Sequence, residues 1–91
     1  MRDMATSYPF QVLTPAAQLA AGEATYAQVP GVGGSFGVLS GHAPLVSLLA
    51  DNAPLVLTLA NGTTQSFTIT GGVAEVTPEG LTILAESAVQ A

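Results

Sequence analysis

The one histidine of the chain, His42, stands in its most glycine-rich stretch, which reads Val29-Pro30-Gly31-Val32-Gly33-Gly34-Ser35-Phe36-Gly37-Val38-Leu39-Ser40-Gly41-His42-Ala43-Pro44-Leu45. Histidine titrates near neutral pH and is a common base or metal ligand, so chemistry would be sought here first. Its partners are missing. There is no cysteine and no second histidine from which to build a catalytic triad. A metal site would have to draw on Asp51, Glu75 or Glu79, and no ligand spacing supports that. His42 therefore reads as a turn or interface histidine.

The glycines around it suggest a phosphate loop and fail as one. Counted from Gly31, Phe36 occupies the last glycine position of G-x-G-x-x-G, and the chain has no lysine for a P-loop. A short apolar strand over 36–39 follows, where a phosphate loop needs a helix N-terminus. No nucleotide site and no other cofactor site is expected. Asn61-Gly62-Thr63 matches a glycosylation sequon but is also the strongest short hairpin signal, and it reads as a type I′ turn. The six acids, Asp3, Glu23, Asp51, Glu75, Glu79 and Glu86, are scattered singly, so a glycosidase-like pair is not expected and solvated charges are.

The elements that would hold these residues are strands. Residues 8–14 alternate, with Phe10 and Val12 on one face, and stop at Pro15. The alanine-rich residues 16–21 suggest a brief helical turn, after which Gly22 opens a strand over 23–29. Further apolar runs occupy 45–49 and 55–60, the second with Leu55, Leu57 and Leu59 on one face. The hairpin return covers 64–70 with Phe67 and Ile69 inward, and Gly71-Gly72 signals a bulge or a close backbone contact. Residues 73–76, a turn at Pro78-Glu79-Gly80 and a closing strand over 81–85 complete the chain. Turn signals this regular predict an all-β fold, a β-sandwich of two antiparallel sheets with about ten short strands and no substantial helix.

Composition sets the class. A chain of 91 residues supplies a single core, burying only about 60 to 65% of its unfolded surface. Hydrophobic residues make up 48% and charged residues only 8%, against roughly 25% charged in an ordinary soluble domain. Much of the surface must therefore be apolar or uncharged, which favours a subunit held in contacts. The net charge of -5, with Arg2 the only basic residue, excludes phosphate-driven nucleic-acid binding and disfavours an anionic membrane surface. Residues 43–60 are apolar enough to suggest a span, but Asp51, Asn52 and Pro54 interrupt them, so no direct membrane insertion is expected. Residues 1–7 lack the apolar core of a secretory signal and read as a flexible tail, with Met4 a second possible start.

The stretch described first resembles the N-terminal β-sandwich domain of the epsilon subunit of F-type ATP synthases, the delta subunit in mitochondrial naming. That family has a Val-Pro-Gly loop, then Gly-x-Phe-Gly-Val-Leu-Pro-Gly-His-Ala-Pro-Leu. Here Val29-Pro30-Gly31, Gly34-Ser35-Phe36-Gly37-Val38-Leu39 and Gly41-His42-Ala43-Pro44-Leu45 match it. Gly71-Gly72-Val73-Ala74-Glu75-Val76 resembles the family's Gly-Gly-Phe-x-Glu-Val, and residues 81–88 its closing strand. Ser40 stands where proline is frequent and Ser35 where an acid is common. The resemblance covers residues 8–88; the family's C-terminal helical hairpin has no counterpart in residues 89–91, so a domain without it is expected.

The resemblance implies a non-catalytic rotor subunit at the foot of the central stalk, with the gamma subunit and the c-ring as partners. It implies that Gly31, Val32, Gly33, Gly34 and Ser35 face the ring and that Gly41, His42, Ala43, Pro44 and Leu45 lie near gamma. Its location would be peripheral, on the cytoplasmic face of a bacterial inner membrane or the matrix face of the mitochondrial one. The competing reading from composition is a stand-alone β-sandwich binding module for a sugar or an extracellular partner. Against it, the chain has no tryptophan and few other rings, most of them at core positions.

Overall fold

Tyr8, Phe10 and Val12 point inward from the first strand, β1 (Tyr8–Leu13), as their alternation predicts. The computed structural model describes residues 6–91. Of the expected tail, residues 1–5 lie outside the described residues, as do Arg2, Asp3 and the second possible start at Met4; Thr6 and Ser7 are exposed, and Ser7 Oγ donates to Glu23 Oε1 at 3.0 Å. Six strands follow: β2 (Gln18–Gly31), β3 (Gly34–Val38), β4 (Leu45–Leu48), β5 (Ala53–Leu59), β6 (Thr64–Thr77) and β7 (Gly80–Gln90). No described residue is helical.

The all-β sandwich is therefore present, with seven strands in one mixed sheet where about ten in two antiparallel sheets were expected. β1 pairs antiparallel with β2 and parallel with β7. From β7 the pairing runs through β6 and β5 back to β2, so five strands close a circuit. β3 is added to β2, and β4 to β6. The count is lower because the turn signals inside β2 and β6 do not break them; both strands are 14 residues long.

Residues 18–21 belong to β2, not to a helical turn, because pairing with β1 outweighs the helix preference of alanine. The turn between the strands is a tight loop at 14–17, where Thr14 N donates to Ala17 O at 2.9 Å. Gly22 lies within β2 instead of opening it, against the ring of Phe10. One extra residue, Thr25, sits between the Ala24 and Tyr26 pairings with β5, and this bulge breaks the expected alternation so that Ala24 and Ala27 both face the core. The hairpin at Asn61-Gly62 is also not type I′. Gly62 alone has a positive φ, at 91°, and its N–H donates to Leu59 O at 2.9 Å, giving a three-residue loop. Asn61 Oδ1 drives this choice by accepting from Thr63 N at 3.0 Å and Thr63 Oγ1 at 2.7 Å.

Gly71-Gly72 is the close contact of the two alternatives, since β6 and β7 keep one register across it. A Cβ on Gly72 would stand 2.0 Å from Leu84 O and 2.8 Å from Ala85 Cα. Here the inward alternation changes phase, from Phe67 and Ile69 to Ala74 and Val76 on β6, and from Ile83 and Ala85 to Ala88 on β7. One core of Phe67, Leu55, Leu57, Ile69, Ile83, Val12, Val29 and Val38 fills the interior. Tyr8 Oη donates to Val38 O at 2.7 Å in that interior, tying β1 to the end of β3. β7 continues past the expected end at residue 85, and Ala91 N donates to Ser66 O at 2.9 Å.

Gly72→Ala should cost about 3 kcal/mol or more in urea unfolding, because its φ of 110° and the Leu84 carbonyl both oppose a side chain. Gly62→Ala, with nothing within 4 Å of the new methyl group, should cost about 1 kcal/mol. Burial, with the neighbouring Tyr26 phenol adding to it, pushes the Tyr8 hydroxyl up to about 12 from 10.0. The unfolded chain then releases this proton first, so the group's stabilisation is whole below pH 10.0 and is lost as pH rises towards about 12. Unfolding free energies measured from pH 8 to 12 should fall with a slope contribution of up to about 1.4 kcal/mol per pH unit. Tyr8→Phe should remove that contribution while costing about 1 to 3 kcal/mol at neutral pH, since the Val38 carbonyl loses its donor.

Candidate interaction surface

The glycine-rich stretch folds into two exposed structures at opposite ends of β3. Residues 31–35 are the tip of the β2–β3 hairpin, where Gly31 pairs with Gly34 across a turn of Val32 and Gly33. Gly31 is buried, and a Cβ there would meet Ser47 Oγ and the Phe36 ring, whereas Val32, Gly33, Gly34 and Ser35 are exposed. The tip is held from below. Val32 N donates to Leu48 O at 2.9 Å, Ala50 N to Pro30 O at 2.9 Å, and Gly31 bridges to Leu49.

Residues 41–44 belong to the connection from β3 to β4, which Leu45 opens. His42 N donates to Leu39 O at 3.1 Å and Gly41 has a φ of 80°, the geometry of a type II turn, which favours glycine at its third position. Gly41, Ala43 and Pro44 are exposed, His42 is half-buried, and Leu45 packs on the core as the first residue of β4. The His42 ring turns back on its own chain, with Nδ1 2.7 Å from Ala43 O. No group of three metal-ligating side chains occurs among the described residues.

The acids are less scattered than their spacing suggests. Asp51 and Glu86 converge over Gly71, where a Cβ would lie 2.8 Å from Glu86 Oε1 and 3.4 Å from Asp51 Oδ1. Both residues are exposed, so they stand as hydrated charges. A surface cleft of about 470 Å³ runs past Phe10, Gly22, Thr82 and Leu81, and Glu79 is the one charged residue among the described residues that line it. One carboxylate without a base or second acid offers no acid–base pair.

What sequence reasoning missed is an apolar row on the outside of the sheet. Leu48 pairs with Val73, Val73 with Leu84, and Leu84 with Leu13, so four side chains from β4, β6, β7 and β1 stand side by side on one face. Leu48 is 64% exposed and Leu84 47%, while Val46, two residues before Leu48 on the same face, is 66% exposed. Val32, 64% exposed at the hairpin tip, continues the row beyond Leu48. The signal was in the sequence. Leu45-Val46, Leu48-Leu49 and Ile83-Leu84-Ala85 are apolar at successive positions, and a strand that is apolar on both faces buries both.

Comparison with known proteins gives the family. Residues 7–91 match the family model described as ATP synthase, Delta/Epsilon chain, beta-sandwich domain. The ATP synthase epsilon chain of Caulobacter vibrioides is 47% identical over 82 residues, spanning 90% of this chain and 93% of that one. That of Hyphomonas neptunium is 41% identical over 85 residues, and here the chain spans 62% of its relative's length. A chain of the Euglena gracilis mitochondrial ATP synthase, solved as its OSCP/F1/c-ring complex, superposes with a TM-score of 0.85 at 22% identity, covering 98% of this chain and 56% of that one. A chain from the central stalk and c-ring of the Tetrahymena thermophila enzyme gives 0.73 at 15% identity, with 94% of this chain and 68% of that one covered. The chain belongs to the delta/epsilon chain family of ATP synthases, as a beta-sandwich domain of that family.

Proposed function

We propose that this chain is a rotor subunit of an F-type ATP synthase, joining the gamma subunit to the c-ring so that ring rotation is coupled to ATP synthesis. Family membership supports the reading, and the observation that carries it is the apolar row Leu48, Val73, Leu84 and Leu13 on an otherwise charge-poor surface. Such a row is the form a permanent subunit contact takes. The subunit is not catalytic. It contributes stiffness, because a closed circuit of strands around a close-packed core transmits force with little compression.

Two regions divide the contacts. The gamma subunit covers the row and the adjoining residues Gly41, His42, Ala43, Pro44 and Leu45, which lead into β4 at the end of this face. The ring contacts the hairpin tip, Gly31, Val32, Gly33, Gly34 and Ser35, whose four exposed members project at the far end of β3. The chain associates peripherally with the membrane through the ring, and the bacterial relatives favour the cytoplasmic face of the inner membrane.

Affinity purification from native membranes should recover the gamma and c subunits with this chain, and failure to recover either removes the basis of the proposal. Ser35→Trp should lower recovery of the c subunit several-fold while leaving gamma recovery and the thermal unfolding midpoint unchanged. Ser35 is exposed and nothing packs over the Gly34 and Gly33 backbone beside it. An equal loss of fold and of ring binding would make the tip a structural loop instead.

A further inference from the structure

We infer that the outer face of β4, β6, β7 and β1 selects a partner element in which an apolar ridge is bordered on both sides by lysine or arginine; this rests on reading that face as the gamma contact. Along β6, residues on one face recur every second position, roughly 7 Å apart. The apolar row crosses β6 at Val73. Two residues further on is Glu75, exposed between Val46 and Thr82. On β7, where Ile83 and Ala85 face the core, the outward residue after Leu84 is Glu86, whose carboxylate converges with that of Asp51 beside Gly71. The row is thus bordered by one carboxylate on one side and two on the other.

Among the described residues, no cation on this face answers those charges. The chain contains no lysine, and its one arginine, Arg2, lies outside the described residues. A partner that covers the row approaches both borders, and a carboxylate covered without a cation loses its hydration with no return. A second copy of the chain is unsuited, because it would bring acid against acid and carries a net charge of -5. An anionic lipid surface is unsuited for the same reason. Lysine or arginine on either side of an apolar ridge satisfies both borders while the ridge fills the row. These rim charges then set the rate and salt sensitivity of association more than its hydrophobic affinity.

The test is a titration of the chain with the gamma subunit of the same synthase. Raising salt from about 0.05 to about 0.5 M should weaken binding about tenfold or more. At low salt, Glu75→Gln alone and Asp51→Asn with Glu86→Gln should each weaken binding about two- to five-fold per carboxylate. The triple variant should be nearly insensitive to salt. Glu79→Gln, in the β6–β7 turn, should bind like the unmodified chain. Leu48→Ser should abolish binding at every salt concentration. All these positions are exposed, and unchanged thermal midpoints will show that the fold is kept. If Leu48→Ser abolishes binding but neither salt nor the acid variants weaken it, the charged borders are overturned and the gamma face stands. If Leu48→Ser binds normally, or the unmodified chain does not bind, the reading of the face falls and the inference with it.

Discussion

At Gly72 two backbones come so close that the Leu84 carbonyl oxygen fills the space a side chain would take. The rest of the molecule depends on that approach. Across it, β6 and β7 exchange their inward and outward phases together, so that Phe67 and Ile69 serve the core on one side, and Ala74, Val76, Ile83 and Ala85 on the other. With the phase set this way, Val73 and Leu84 stand outward in register with each other, flanked by Leu48 and Leu13. A β6 that alternated without interruption from Phe67 would turn Val73 into the core and Ala74 out. The glycine pair therefore fixes the external surface as firmly as it fixes the fold.

The strands were legible wherever one face was apolar and the other was not. Phe10 with Val12, Leu55 with Leu57, and Phe67 with Ile69 announced their direction in the sequence, and all six are buried. The strand count and the pairing were not legible. A glycine inside a strand and a glycine opening one look the same in sequence, so Gly22 read as the start of a strand although β2 passes through it, and at Gly71-Gly72 a bulge and a close contact could not be told apart before β6 and β7 were paired. The parallel pairing of β1 with β7 joins the two ends of the chain, and no local pattern encodes a contact of that range. Asn61-Gly62 failed in a third way, because the Asn61 side chain committed to Thr63 and drew the turn into a wider form.

The same distinction governs the surface. The hairpin tip and the turn at His42 could be found from glycine and proline spacing, because tight turns demand those residues at fixed positions. The apolar row could not be assembled that way, since its four members come from four strands and meet only once the register is set. The convergence of Asp51 and Glu86 likewise required the approach of the β4–β5 turn to the middle of β6. Catalytic sites usually gather titratable groups in a cleft; here the exposed apolar groups are gathered on a face and the acids are left at its borders.

β3 was described as an addition to β2, and among the described residues it pairs with nothing else. Its sequence, Gly34-Ser35-Phe36-Gly37-Val38, has no charge, proline or bulge, the usual devices by which an edge strand repels foreign strands. A copy that misses its place in the complex therefore displays a template for polymerisation and a sticky apolar face at once. An unassembled copy is expected to self-associate more readily than one whose face and edge are covered.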